Sequence, residues 1–188
     1  MLWADIAAAP FFIASALLAV AGLAKLRDPL PLTRVLRQAR LPASRLAVRV
    51  FGLAETAAGV AGLVRPGLVT GAAIGALYIG FSAFLLWLLA RNIPVTSCGC
   101  LGAREAPPSV IHLALNACAT AAAVAVAAGA SPSGIVPFAV DLSYRAIPFV
   151  IGTAAIAYAA YLAVAFLPTA LSSYGRVAAG GAGGPERS

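Results

Sequence analysis

The sequence predicts an all-α fold: a polytopic membrane helix bundle of about five transmembrane helices, arranged as a four-helix core followed by a C-terminal helix. Three observations predict it. Of the 188 residues, 62% are hydrophobic and only 10% are charged, whereas soluble domains carry about 25% charged residues. Five apolar stretches approach or exceed the roughly 20 residues that a helix needs to cross the hydrocarbon core. None of the five shows the period-two alternation of barrel strands, and in hydrocarbon every backbone polar group must be satisfied within the protein, which leaves helices.

The stretches run from about Ile6 to Ala24, Val48 to Val64, Leu68 to Ala90, Val110 to Ala128 and Ile147 to Leu167. The first lacks a preceding Lys or Arg and contains Asp5 and Pro10 nearby, so it reads as a retained helix rather than a cleaved secretory signal. Residues 1–167 form one membrane domain on this reading. The tail 168–188 is rich in Gly, Ala and Ser and is expected to be disordered.

Between the first two stretches, Pro29, Pro31 and Pro42 frame a basic segment, Thr33 to Arg40, in which Leu32, Val35, Leu36 and Ala39 form an apolar stripe. This is the pattern of an amphipathic helix lying on the bilayer surface, its arginines toward anionic lipid. The net charge of +7 therefore points to lipid headgroups and topology, and not to nucleic acid. Eleven of the thirteen Lys and Arg residues fall in the first loop, the third loop and the tail, and only Arg65 and Arg145 fall on the other side. The positive-inside rule then puts the N-terminus outside and the first and third loops in the cytoplasm.

The helix faces carry the next level of information. Gly52, Glu55, Gly59 and Gly62 recur at intervals of three and four, so they share one small, acidic face of the second transmembrane helix. Gly71, Gly75, Tyr78 and Ser82 do the same on the third, and Ser15, Ala19 and Gly22 on the first. Small residues let membrane helices approach closely. An acidic residue near mid-bilayer costs roughly 3 kcal/mol on insertion scales unless it faces the bundle interior, so Glu55 is expected to point inward. Its candidate partners are Lys25, Arg49, Tyr78 and His112, and its role is either proton handling or a structural hydrogen bond.

The most chemically pointed feature is the pair Cys98-Gly99-Cys100, in a polar loop before the fourth transmembrane helix. Arg91, Arg104 and the following helix N-terminus all favour a thiolate there. A Cys-x-Cys disulfide closes a very small ring, and Gly99 supplies the backbone freedom such a ring needs. Strained, exposed disulfides are the oxidising, exchangeable ones, so thiol–disulfide exchange is one reading of the pair. The second is a metal site for copper or zinc with Cys98, Cys100 and His112 as ligands, although a fourth ligand is missing and the chain has one histidine. The third is a structural or spent pair in a scaffold or assembly partner without catalysis. Ser109, His112 and Asn116 share a polar face just after the cysteines, and His112, titrating near neutral pH, is a candidate acid or base for thiol exchange. The third cysteine, Cys118, reads as a small core residue.

These residues carry a family resemblance. Gly22-Leu-Ala-Lys25-Leu-Arg-Asp28-Pro29 after the first helix, Glu55 in the second, and Cys98-Gly-Cys-Leu-Gly102 ahead of Asn116 resemble the MauE family of methylamine-utilisation membrane proteins, related to the DoxX group of redox-associated membrane proteins. The resemblance covers roughly residues 11–128, with Leu101 where the motif is expected to carry Phe. It implies a multi-pass protein of the bacterial plasma membrane that matures the small subunit of methylamine dehydrogenase, a disulfide-rich exported protein, together with a thioredoxin-like or other dithiol partner. Cys98 and Cys100 are the candidate site residues, with Glu55 and His112 the next candidates from the residue pattern. The layout is also similar to the vitamin K epoxide reductases and disulfide-generating membrane enzymes, whose cysteine pair passes electrons to a quinone. Here the pair is CxC, no second pair stands in the first loop, and no sequence motif marks a quinone site. Charge counting puts Cys98 on the cytoplasmic side, whereas work on an exported protein implies the outside.

Overall fold

The computed structural model of the chain describes residues 2–91, 93 and 110–130, with 134, 152 and 159 as isolated positions; the side chains of 2–7 and 111 are not described. Cys98, Cys100, Arg104, Ser109 and the tail 168–188 lie outside the described residues, as does the predicted Ile147 to Leu167 helix apart from Gly152 and Ala159, both helical. Among the described residues five helices have stated bounds, in order: α1, Leu2–Arg27; α2, Leu30–Gln38; α3, Arg45–Val64; α4, Leu68–Ala90; and α5, Val110–Ala127. The molecule is a helical membrane bundle. Three spans, Ala8–Arg27 within α1, Arg45–Val64 and Leu68–Ala90, are long and apolar enough to cross a membrane, and the shorter His112–Ala127 is apolar as well.

The helix ends follow from local chemistry and differ by a few residues from the sequence expectation. Helix α1 runs on to Arg27, beyond Ala24, and stops because Asp28 precedes Pro29, where ring sterics disfavour helical backbone. The Asp28 carboxylate then accepts from Leu30 N–H at 3.0 Å. Helix α2 starts earlier than Thr33 because Pro31 sits in its first turn, where proline's missing N–H costs nothing. It ends before Arg40, which adopts left-handed backbone at φ 56. Leu41 N–H donates to Leu36 O at 2.8 Å and Arg40 N–H to Arg37 O at 3.0 Å, the paired closure of a Schellman motif built on arginine instead of glycine. Gly129 closes α5 the same way, with Ala130 N–H donating to Ala125 O at 3.0 Å. Helix α3 opens three residues before Val48, at Arg45, because Ser44 caps it by accepting from Ala47 N–H at 3.4 Å.

Small residues set the packing. Helices α1 and α3 lie antiparallel with their backbones nearly touching: a side chain at Gly22 would collide with Gly52 O and Thr56, and one at Gly59 would come within 2.5 Å of Ser15 O. Helix α5 approaches α4 in the same manner, where a side chain at Gly71 would meet Ala123 O at 2.7 Å. Of the three small faces read from the sequence, those of α1 and α3 meet each other, and that of α4 meets α5. Around them Phe11, Phe12, Leu18, Ile74, Ala123 and Val126 form the principal core. Tyr78 crosses it, its hydroxyl donating to Ala14 O at 2.8 Å.

The outward faces of α3 and α4 expose Leu46, Val50, Leu53, Leu68, Val69 and Ile79, as expected where the surrounding solvent is hydrocarbon. Helix α2 departs from the surface-lying picture in one respect. Val35 and Ala39 on its apolar stripe are buried against Leu88, with Phe84, Trp87 and Ile93 beside them, so α2 is docked onto the C-terminal end of α4 while Arg34 and Arg37 stay exposed. One end of the bundle thereby gathers the C-termini of α1 and α4, the N-termini of α3 and α5, and α2.

Candidate functional site

At that end, inside the bundle, lies an ion pair. Lys25, in the last turn of α1, places its Nζ 2.9 Å from Glu55 Oε2 on α3, and the side chains are 3% and 0% exposed. The close α1–α3 approach makes this possible, because a side chain at Gly52 would already lie 2.9 Å from Lys25 Cβ. With glycine one turn before Glu55, the lysine stem has room to run along α3. Lys25 Nζ also lies 3.5 Å from Ala21 O, at the carbonyl end of α1 where a cation is favoured.

Two aromatic rings complete the surroundings of the ammonium. Its distance to the Phe81 centroid is 5.7 Å and to the Phe51 centroid 6.0 Å, within reach of cation–π attraction. The rings pack edge to face, 6.0 Å apart at 84°. Glu55 Oε1, by contrast, has no hydrogen-bond partner among the described residues. Lys25, Phe51 and Phe81 also line a cavity of about 420 Å³ bounded by α1, α2, α3 and α4.

The residues singled out by sequence fall into distinct places. Glu55 is fully buried and faces inward. Of its four candidate partners Lys25 forms the ion pair, Arg49 is exposed on α3 and Tyr78 donates to Ala14. His112 is buried, 7% exposed, in the first turn of α5, and Asn116, one turn further, is half-buried with its carbonyl accepting from Thr120 Oγ1 at 2.8 Å. Cys118 is not a core residue but an exposed, free cysteine. The buried face of α5 runs through Ala119, Ala122, Ala123 and Val126, and at 100° per residue Cys118 lies about a quarter turn from its centre. Of the Cys98, Cys100 and His112 set, only His112 is among the described residues, which contain no group of three or more His, Cys, Asp or Glu suited to hold a metal ion.

Sequence reasoning missed the aromatic flank. A signal was present, since Phe51 stands four residues before Glu55 and therefore on its side of α3. Nothing local pointed to Phe81, which reaches the pair only through the packing of α4.

A bundle of apolar helices joined by small faces, with a charged pair buried toward one end, defines a helical membrane protein with an ion pair in its interior. The family can be stated as well. A model of the family described as "Methylamine utilisation protein MauE" matches residues 3–129, and the chain belongs to that family. No curated protein and no solved structure matches the chain. Membership implies a role in methylamine utilisation, and the matched region holds Lys25, Glu55, Cys98, Cys100 and His112 together.

Proposed function

We propose that the protein is a multi-pass component of the bacterial plasma membrane that performs thiol–disulfide exchange through Cys98 and Cys100 during maturation of an exported protein of methylamine utilisation, with a thioredoxin-like partner. The observation that carries the reading is the family match over residues 3–129, which spans the cysteine pair. Supporting it, Ile93 and Val110, the described residues flanking the cysteine-bearing segment, emerge at the end of the bundle that holds the Lys25–Glu55 pair.

Exchange of this kind moves two electrons. A partner thiolate attacks one sulfur of a Cys98–Cys100 disulfide and forms a mixed disulfide. The partner's second thiolate then resolves it, leaving Cys98 and Cys100 as the dithiol and the partner as the disulfide, and the reverse sequence re-forms the Cys98–Cys100 disulfide and leaves the partner as the dithiol. In this scheme His112 serves as acid or base for the thiols, and Lys25–Glu55 fixes the end of the bundle from which the pair is presented.

The test is trapping. In cells producing Cys100→Ser with Cys118→Ala, Cys98 attacks a partner disulfide and the mixed disulfide lacks the Cys100 thiol that resolves it in this direction, so a covalent adduct between Cys98 and the partner should accumulate and vanish on reduction. The same cells with Cys98→Ser as well should show none. An adduct that persists in the triple variant lacking Cys98, or none in either, contradicts the proposal.

A further inference from the structure

The cavity beside the ion pair has a shape and a setting that the redox reading does not use. Apart from Lys25 its lining is apolar: Leu32 and Leu36 of α2, Phe51 of α3, and Gly80, Phe81 and Phe84 of α4 among them. Along α4 it extends from Ala76 to Phe84, a rise of about 12 Å at 1.5 Å per residue. It is thus an elongated slot that starts beneath α2 and runs inward along the transmembrane direction. It also opens sideways. Ala47, Ala76 and Gly80 on its wall are exposed, and Phe51 is 37% exposed, on the faces that meet lipid.

The charge around its upper end has one sign. The elements that roof the slot, α2, the turn after it and the start of α3, carry Arg34, Arg37, Arg40, Arg45 and Arg49, all exposed. Arg27 at the end of α1 and Arg91 after α4 add to them. Among the described residues at this end the acidic groups are Asp28, exposed beside α2, and Glu55, already paired with Lys25. A hydrocarbon tail gains little by leaving bilayer for an apolar slot, because lipid tails are as apolar as the side chains that line it. What selects an occupant is then the headgroup, and a row of interfacial arginines selects phosphate-bearing, net negative ones.

We propose that this slot is a binding site for an acidic phospholipid, one acyl chain lying along α4 between Phe51, Phe81 and Leu36 and the headgroup phosphate held by the arginines of α2 and the α3 N-terminus. The chain docks α2 against α3 and α4 from below, so the lipid acts as a structural part of the end of the bundle that carries the ion pair.

Gly80 gives the test a clean handle. It lines the slot, and a Cβ built on it meets nothing within 4 Å, so Gly80→Trp is the substitution chosen to fill the cavity. The full-length protein is reconstituted with equal amounts of phosphatidylglycerol and phosphatidylcholine of identical acyl chains, and retained lipid is counted by native mass spectrometry. The expected result is one phosphatidylglycerol retained in about tenfold preference, which corresponds to about 1.4 kcal/mol of net headgroup selection. Gly80→Trp should remove retention of both lipids while the delipidated variant and native protein unfold at the same temperature in detergent, and Gly80→Ala should retain them. Arg37→Gln with Arg40→Gln and Arg45→Gln should erase the preference and leave the slot able to take either lipid. Equal retention of the two lipids by the native protein, or retention indifferent to Gly80→Trp, would overturn the proposal. So would a neutral prenylated quinone, and no phospholipid, being the molecule that Gly80→Trp displaces.

Discussion

Lys25 and Glu55, thirty positions apart in sequence and on antiparallel helices, meet at 2.9 Å in the interior of the bundle with side chains 3% and 0% exposed. A buried pair is held together because either member alone would be an uncompensated charge in a low-dielectric interior. Breaking such a pair from one side costs about 3–5 kcal/mol, whereas replacing both members with apolar residues of similar volume is often neutral. The expected outcome is that Lys25→Met and Glu55→Leu each lower the unfolding temperature of detergent-purified protein strongly, and that the double variant recovers most of the loss. Additive losses in the double variant would show that the two residues act independently.

The small faces make a graded prediction. At Gly59 a side chain would come within 2.5 Å of Ser15 O and 2.6 Å of Ala19 N, and at Gly22 it would strike Gly52 O, so backbone rather than a flexible tip stands in the way. Gly22→Val or Gly59→Val should separate α1 from α3, costing at least the 1–3 kcal/mol typical of overpacking and breaking the ion pair with it. Gly67→Ala and Gly80→Ala, where nothing lies within 4 Å, should leave stability near that of the native protein. Thermal unfolding of the four variants in one detergent checks the order.

Much of this was legible in the sequence. The three small faces, the inward carboxylate and the amphipathic α2 all follow from spacing, because helical periodicity decides which side chains can share a face whatever the tertiary structure. Three features were not legible. The choice of Lys25 over Arg49 as partner depends on where the α1–α3 crossing falls along both helices, a tertiary quantity. The docking of α2 on Leu88 instead of the bilayer depends on where α4 ends. Cys118 was misplaced because one residue of rotation separates the buried Ala119 from an exposed neighbour, and an almost uniformly apolar helix such as α5 gives no pattern from which to fix that rotation.

Tyr78 offers a local check on the α1–α4 contact. Its hydroxyl donates to Ala14 O at 2.8 Å across the core. Ala14 O stays in place when the hydroxyl is lost, so Tyr78→Phe should cost about 0.5–1.5 kcal/mol. Tyr78→Ala should cost more, about the 3–5 kcal/mol of losing a buried aromatic ring, because the edge contact with Phe81 at 6.0 Å goes too. Equilibrium unfolding of the two variants separates the hydrogen bond from the ring.

His112 separates chemistry from fold. It is buried in the first turn of α5, close in sequence to the cysteine pair, and in the proposed scheme it handles thiol protons. His112→Asn should slow disulfide exchange by the 10²–10⁴-fold typical of a general acid or base while leaving the unfolding temperature within a few degrees. A large loss of stability with an unaltered exchange rate would make the imidazole a packing element.

The central claim is that Cys98 and Cys100 form an exchangeable pair acting on an exported substrate. Labelling with a membrane-impermeant maleimide in intact cells, with and without mild reductant and in a Cys118→Ala background, tests it most directly because it reads sidedness and redox state together. The account predicts labelling that appears only after mild reduction, placing an oxidised pair outside and setting aside the topology drawn from the eleven clustered basic residues. Labelling that needs permeabilisation but no reductant would contradict it, by placing free thiols in the cytoplasm, where reducing pools hold them.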